Sequence, residues 1–90
     1  MSYPFEYITQ GTCCKLIRLV IENDTIMEVE FVGGCHGNLQ GIQALIKGMP
    51  CNKVYNLLKG IRCGNKTTSC PDQLAQAICV AKKQFIDNPL

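Results

Sequence analysis

Hydrophobic and polar residues alternate along the first third of the chain and then switch to a helical spacing. In "YPFEYI" the alternation of Tyr3, Phe5 and Tyr7 predicts a short first strand, and Pro4 suits a sheet edge. In "CKLIRLVIE" Ile17, Leu19 and Ile21 share one face, with Arg18 and Glu22 on the other. Asn23-Asp24 then reads as a two-residue hairpin turn, with aspartate where glycine is usual. "IMEVEFVGG" predicts the return strand, with Met27, Val29 and Phe31 inward and Glu28 and Glu30 outward.

Past Gly33-Gly34 the period changes. Leu39, Ile42, Ile46 and Met49 follow helical spacing, closed by Lys47-Gly48. Pro50 opens a second short helix with Val54, Leu57 and Leu58 inward, closed in the same way by Lys59-Gly60. A loop from Ile61 to Thr68 leads into Ser69-Cys70-Pro71-Asp72, a hydroxyl followed three residues later by an acid, which is the capping-box pattern. Leu74, Ile78, Ala81 and Phe85 form the apolar face of a third helix ending near "DNPL". Strands first and helices after predict an α+β fold, an N-terminal antiparallel sheet of about three strands packed against three C-terminal helices. No linker or low-complexity stretch divides the chain, so residues 1–90 are expected to form a single domain.

Composition narrows the function classes. Apolar residues make up 47% and charged residues 18%, which fits a globular chain. The net charge of +2 comes from scattered basic residues with no basic run, so no nucleic-acid partner is expected. No apolar run approaches the ~20 residues that span a bilayer, so no membrane partner is expected either. Seven cysteines approach the density of disulfide-stapled domains, but the count is odd. "MSYPFEYITQ" also lacks the basic-then-apolar layout of a secretory signal. A reducing, cytoplasmic location is expected, where clustered cysteines serve metal or redox chemistry more often than disulfides.

The predicted topology gathers most of those thiols at one end. Pairing Glu22 with Thr25 places Cys13 and Cys14 opposite Gly34 and Gly33, next to Cys35. The first two helices are joined by a very short connection and should run antiparallel. The end of the second then returns near the start of the first, bringing Cys63 and Cys70 to the Cys35 end. The candidate ligand set is therefore Cys13, Cys14, Cys35, His36, Cys63 and Cys70, chemically suited to zinc or an iron–sulfur cluster. There is no CxxC pair, so the inference rests on topology alone. His36 reads equally as a locally hydrogen-bonded loop histidine. Cys51 and Cys79 fall outside the cluster and read as core. Gly33, Gly34, Gly37 and Asn38, just before a helix, form an alternative anion-binding loop.

Thr68-Ser69-Cys70-Pro71-Asp72 resembles the signature of the TSCPD domain family. Cys13-Cys14-Lys15, Gly33-Gly34-Cys35-His36-Gly37-Asn38 and Leu57-Leu58-Lys59-Gly60-Ile61-Arg62-Cys63-Gly64 are similar to its other blocks. The family includes small stand-alone proteins and a C-terminal domain of adenosylcobalamin-dependent ribonucleotide reductases. A more distant resemblance, in architecture, is to U-type iron–sulfur cluster scaffold proteins. Cys13 or Cys14, Cys35 and Cys70 match their cysteine positions in order, while Lys15 stands near their aspartate and His36 interrupts their Gly-Cys-Gly.

These resemblances imply a small thiol or metal-binding module accessory to ribonucleotide reduction, with a ribonucleotide reductase or other redox protein as partner. The enzymatic alternative is ribonucleoside-diphosphate reductase activity. Against it, ninety residues are too few to enclose a cofactor, a radical-generating site and a substrate pocket together. A third reading is a nucleotide-binding regulatory domain that uses the glycine loop.

Overall fold

A computed structural model describes residues 2–12, 14–34 and 36–85, the side chains of Ser2, Tyr3, His36 and Phe85 excepted. Three strands, β1 (Ser2–Ile8), β2 (Cys14–Glu22) and β3 (Thr25–Gly33), form one antiparallel sheet in the order β1-β2-β3. Three helices follow: α1 (His36–Ile46), α2 (Cys51–Leu58) and α3 (Cys70–Phe85). The fold is the expected α+β arrangement. Pro4 stands on edge strand β1 opposite Val20, where its missing N–H costs no ladder bond.

The β2–β3 hairpin shows how turn and pattern are reconciled. Asn23 and Asp24 both take left-handed φ, 53° and 63°, as a two-residue type I′ turn requires. Glu22 pairs with Thr25, which sets Ile26 opposite Ile21, both fully buried. Strict alternation from there would carry Glu28 and Glu30 into the core. The ladder instead steps from Ile21↔Ile26 to Val20↔Glu28, so Met27 is an extra, bulged residue. Met27 is therefore 39% exposed and not inward as its spacing suggested, while Val29 and Phe31 are buried.

A second bulge corrects the phase at the other end. Cys14 pairs with Gly33 and Leu16 with Val32, leaving Lys15 as the extra residue. Cys14 thereby joins Ile17, Leu19 and Ile21 on the inner face and is buried. The predicted pairing of Cys14 with Gly33 holds because the two bulges cancel.

Two helix readings are corrected. Helix α1 stops at Ile46, with Gly48 at φ 88°, so Met49 lies in the connection and not on the helix. That connection is knitted to the hairpin turn: Ile26 N–H donates to the Met49 carbonyl, Gly48 N–H to that of Ile26, and Cys51 N–H to that of Asp24. On α2 the buried stripe is Cys51 and Val54, with Leu58 half-buried; Leu57 is 59% exposed. The stripe advances by three and then four residues, which turns Leu57 outward. Helix α3 buries Leu74, Ile78 and Ala81 as expected. Its predicted end near "DNPL" lies outside the described residues.

Helix α3 packs against α2 and the inner sheet face, and α1 lies against β3, where the Gln43 side chain accepts the Phe31 N–H. Among the described residues, no helix is long and apolar enough to cross a membrane.

Candidate functional site

The segment Thr68 to Asp72 is a scaffold in which four residues fix the position of the fifth. Ser69 caps α3: its hydroxyl accepts the Asp72 N–H (3.1 Å) and donates to the Ile61 carbonyl (2.6 Å). The predicted hydroxyl-to-acid spacing is thus a working N-cap. Asp72 itself turns elsewhere. One carboxylate oxygen accepts the Gly60 N–H (2.6 Å), and the other accepts the Thr68 hydroxyl and the Gln76 amide. Burial alone would raise the Asp72 pKa, but these three donors outweigh it and hold the carboxyl below its usual range.

Thr68 also accepts from the Gln73 amide (3.0 Å), and the Gln73 carbonyl oxygen accepts the Gln10 N–H (3.1 Å). The end of α2, the start of α3 and the β1–β2 loop are thereby tied by one polar network. Pro71, at the second helical position, is tolerated because its missing N–H would have had no partner within the helix.

What this frame positions is Cys70, the first residue of α3. Its sulfur is buried and donates to Thr12 Oγ1 at 3.3 Å. Thr12 Oγ1 also lies 3.2 Å from Cys14 Sγ, so the two sulfurs meet on one hydroxyl. Glycine is required alongside: at Gly34 (φ +82°) an added Cβ would lie 3.2 Å from Cys14 Cβ and 3.0 Å from Leu39 Cδ1.

Cys70 borders a cavity of about 450 Å³ walled by Asn38, Leu39 and Ile42 of α1, by Cys63 and Lys66 of the loop after α2, and by Thr12, Ser69 and Pro71. The first turns of α1 and α3 both border it, so it faces the positive ends of two helix dipoles beside Lys66. Its lining is otherwise mostly apolar. Cys63 is exposed, and its loop is closed by its own N–H donating to the Thr68 carbonyl (3.2 Å).

Of the candidate ligands, the structure brings Cys14, Cys63 and Cys70 to this end of the molecule. Cys13 and Cys35, and the His36 side chain, lie outside the described residues. Among the described residues no group of three or more His, Cys, Asp or Glu side chains is placed to hold a metal. Gly33 ends β3 and Gly37 lies on exposed helical surface, while Asn38 borders the cavity. Cys51 is fully buried at the far end, and Cys79 is half-buried.

Sequence reasoning missed Thr12. The available signal was local, a threonine two residues before a strand-opening cysteine, able to accept that residue's N–H.

Fold and site together define a small α+β protein with a thiol-bordered cleft where the β1–β2 loop, α1 and the start of α3 meet. A family model, the TSCPD domain, matches residues 1–82, and the chain belongs to that family. The family is linked to ribonucleotide reductase. No curated protein and no solved structure gives a significant match to the chain.

Proposed function

We propose that this protein is a thiol or metal-binding module accessory to ribonucleotide reduction. The observation that carries the reading is the meeting of the Cys14 and Cys70 sulfurs on the Thr12 hydroxyl, beside a cavity that Cys63 also borders. Both thiols also belong to the hydrophobic core, as a packing cysteine does. These two share a polar contact beside an open cleft, between two helix N-termini that favour anionic ligands.

A soft metal or cluster would be held by Cys14 and Cys70, completed from Cys63, Cys13, Cys35 and His36. Such a centre supplies Lewis-acid or electron-transfer chemistry when bound. The chain's own contribution is to hold sulfur donors in a partly dehydrated cleft, with the capped start of α3 keeping Cys70 in place.

The test is anaerobic purification followed by elemental analysis and an absorption spectrum, for the wild type, Cys70→Ser and Cys79→Ala. Zinc, or iron with sulfide, near one site per chain in the wild type and in Cys79→Ala, and at least tenfold less in Cys70→Ser, is the expected result. A chain that takes up no metal, or a Cys70→Ser variant that retains it fully, overturns the metal reading.

A further inference from the structure

We infer that Thr12 is the positioning residue of a two-sulfur clamp, its hydroxyl holding Cys14 and Cys70 ready for one thiophilic centre. The inference rests on the thiol-site reading above and adds a residue that the sequence did not point to.

The bonding capacity of the hydroxyl carries the argument. A threonine hydroxyl has two acceptor positions and one hydrogen. Both acceptor positions are taken by the two cysteines: the Cys14 N–H donates at 3.1 Å and the Cys70 thiol at 3.3 Å. The single hydrogen is left for Cys14 as well, whose carbonyl oxygen and sulfur both lie at 3.2 Å. Among the described residues, the hydrogen bonds of the Thr12 side chain go to Cys14 and Cys70. Besides its local bonds to Cys14, two residues away, the hydroxyl reaches Cys70, 58 residues along the chain, which a turn alone does not require.

The geometry suits a centre that binds two sulfurs. Bonds of ~2.3 Å, as in zinc thiolates, bridge sulfurs only a few ångströms apart. The two sulfurs lie 3.2 and 3.3 Å from the one shared hydroxyl oxygen, which holds them on a common neighbour. Thr12 and Cys70 border the cavity, with the buried Cys14 behind Thr12, so a ligand would approach from the Cys70 side.

Phenylarsine oxide reads the clamp without any metal. Two As–S bonds form while the As–O bonds break. The two thiol protons leave with the oxygen as water, and arsenic stays trivalent, so no oxidant or reductant is consumed. The experiment uses the full-length chain carrying Cys13→Ser, Cys35→Ser and Cys63→Ser, so that Cys14 and Cys70 are the candidate pair. Thr12, Thr12→Ser and Thr12→Val versions are compared by intact mass, peptide mapping and competition with a small dithiol. If the triple background does not fold, the comparison is made in the wild-type chain with peptide mapping.

Expected is one arsenical per chain bridging Cys14 and Cys70, retained within about threefold by Thr12→Ser. Thr12→Val, which keeps the shape and removes the hydroxyl, should weaken capture at least tenfold. Thr12→Ala is read in the same way should the valine variant fail to fold. Equal capture by Thr12→Val, or no bridging of Cys14 to Cys70, overturns the inference. A wild-type chain that binds no metal yet captures the arsenical through Thr12 refutes the metal reading and leaves the clamp standing.

Discussion

Asp24 occupies a turn position where glycine would be free of left-handed strain, at φ 63°. Its side chain explains the choice. The carboxylate lies 2.7 Å from the ammonium of Lys82, whose side chain is 1% exposed and which also donates to Asn52 at 2.9 Å. The same locus encloses Cys51, whose thiol is pushed up to about 11, first by burial and then by the Asp24 charge, with Lys82 opposing. Asp24→Gly relaxes the turn but leaves a buried ammonium with Asn52 as its remaining named partner. We expect a net loss of about 1–3 kcal/mol in urea unfolding, less than a fully buried pair would cost because the Asp24 side chain is 44% exposed. Asn23→Gly, at φ 53° and with no such ion pair, should stay within about 0.5 kcal/mol of wild type.

At the scale of elements, the hairpin was legible in the sequence, and so was a conflict inside it. The Asn23-Asp24 turn demands Ile26 opposite Ile21, whereas the alternation of Met27, Val29 and Phe31 demands the other phase. Both cannot hold in a regular ladder, and the bulge at Met27 is the physical resolution, since the alternative buries the charges of Glu28 and Glu30. The end of α1 was misread for a different reason. Met49 continues the helical spacing, but Gly48 has already left the helix and the Met49 carbonyl is committed to the Ile26 N–H.

The bulge at Lys15 has a direct test. Deleting Lys15 should turn the bulge into a regular ladder with Cys14 still opposite Gly33 and still on the inner face, and the sheet should be retained by circular dichroism. Cys14, 2% exposed in the wild type, should then stay within about threefold of the wild-type alkylation rate under native conditions. A tenfold or greater gain in reactivity would show that something other than the ladder register sets its direction.

At the scale of the whole molecule, the polar network around Asp72 joins parts distant in sequence. The capping pattern revealed Ser69, but nothing local revealed that Asp72 reaches Gly60, or that Gln73 reaches Gln10, because those partners are set by packing. The gathering of Cys14, Cys63 and Cys70 was legible through the hairpin register and the short connection between the first two helices. Thr12 was legible only toward Cys14, since its reach to Cys70 on α3 is set by packing.

Asp72→Asn should destabilise by about 1–3 kcal/mol near neutral pH, as three donors lose a charged acceptor. The Asp72 carboxyl is depressed in the folded state, so its contribution is fully present above its unfolded value of ~3.9 and is lost as pH falls through the folded value. The stability gap between wild type and variant should therefore be constant from pH 7 to about 5 and close below about 4. A gap that persists undiminished at lower pH would assign the Asp72 effect to shape and not to charge.

The paired bulges carry a consequence for reading this chain against any other. Along β2 and β3 the inner face follows a parity rule, and each extra residue flips it: odd numbers at Ile17, Leu19 and Ile21, then even at Cys14; even at Ile26, then odd at Val29 and Phe31. One inserted residue on each strand leaves the hairpin in step at both ends and out of step in the middle. A gap-free comparison with a regular hairpin would match its ends and its turn and still assign the wrong side to Cys14. Whether a cysteine two places before Leu16 is a buried donor or an outward-facing thiol is decided by whether the residue between them is taken into the ladder or, like Lys15, bulged out of it.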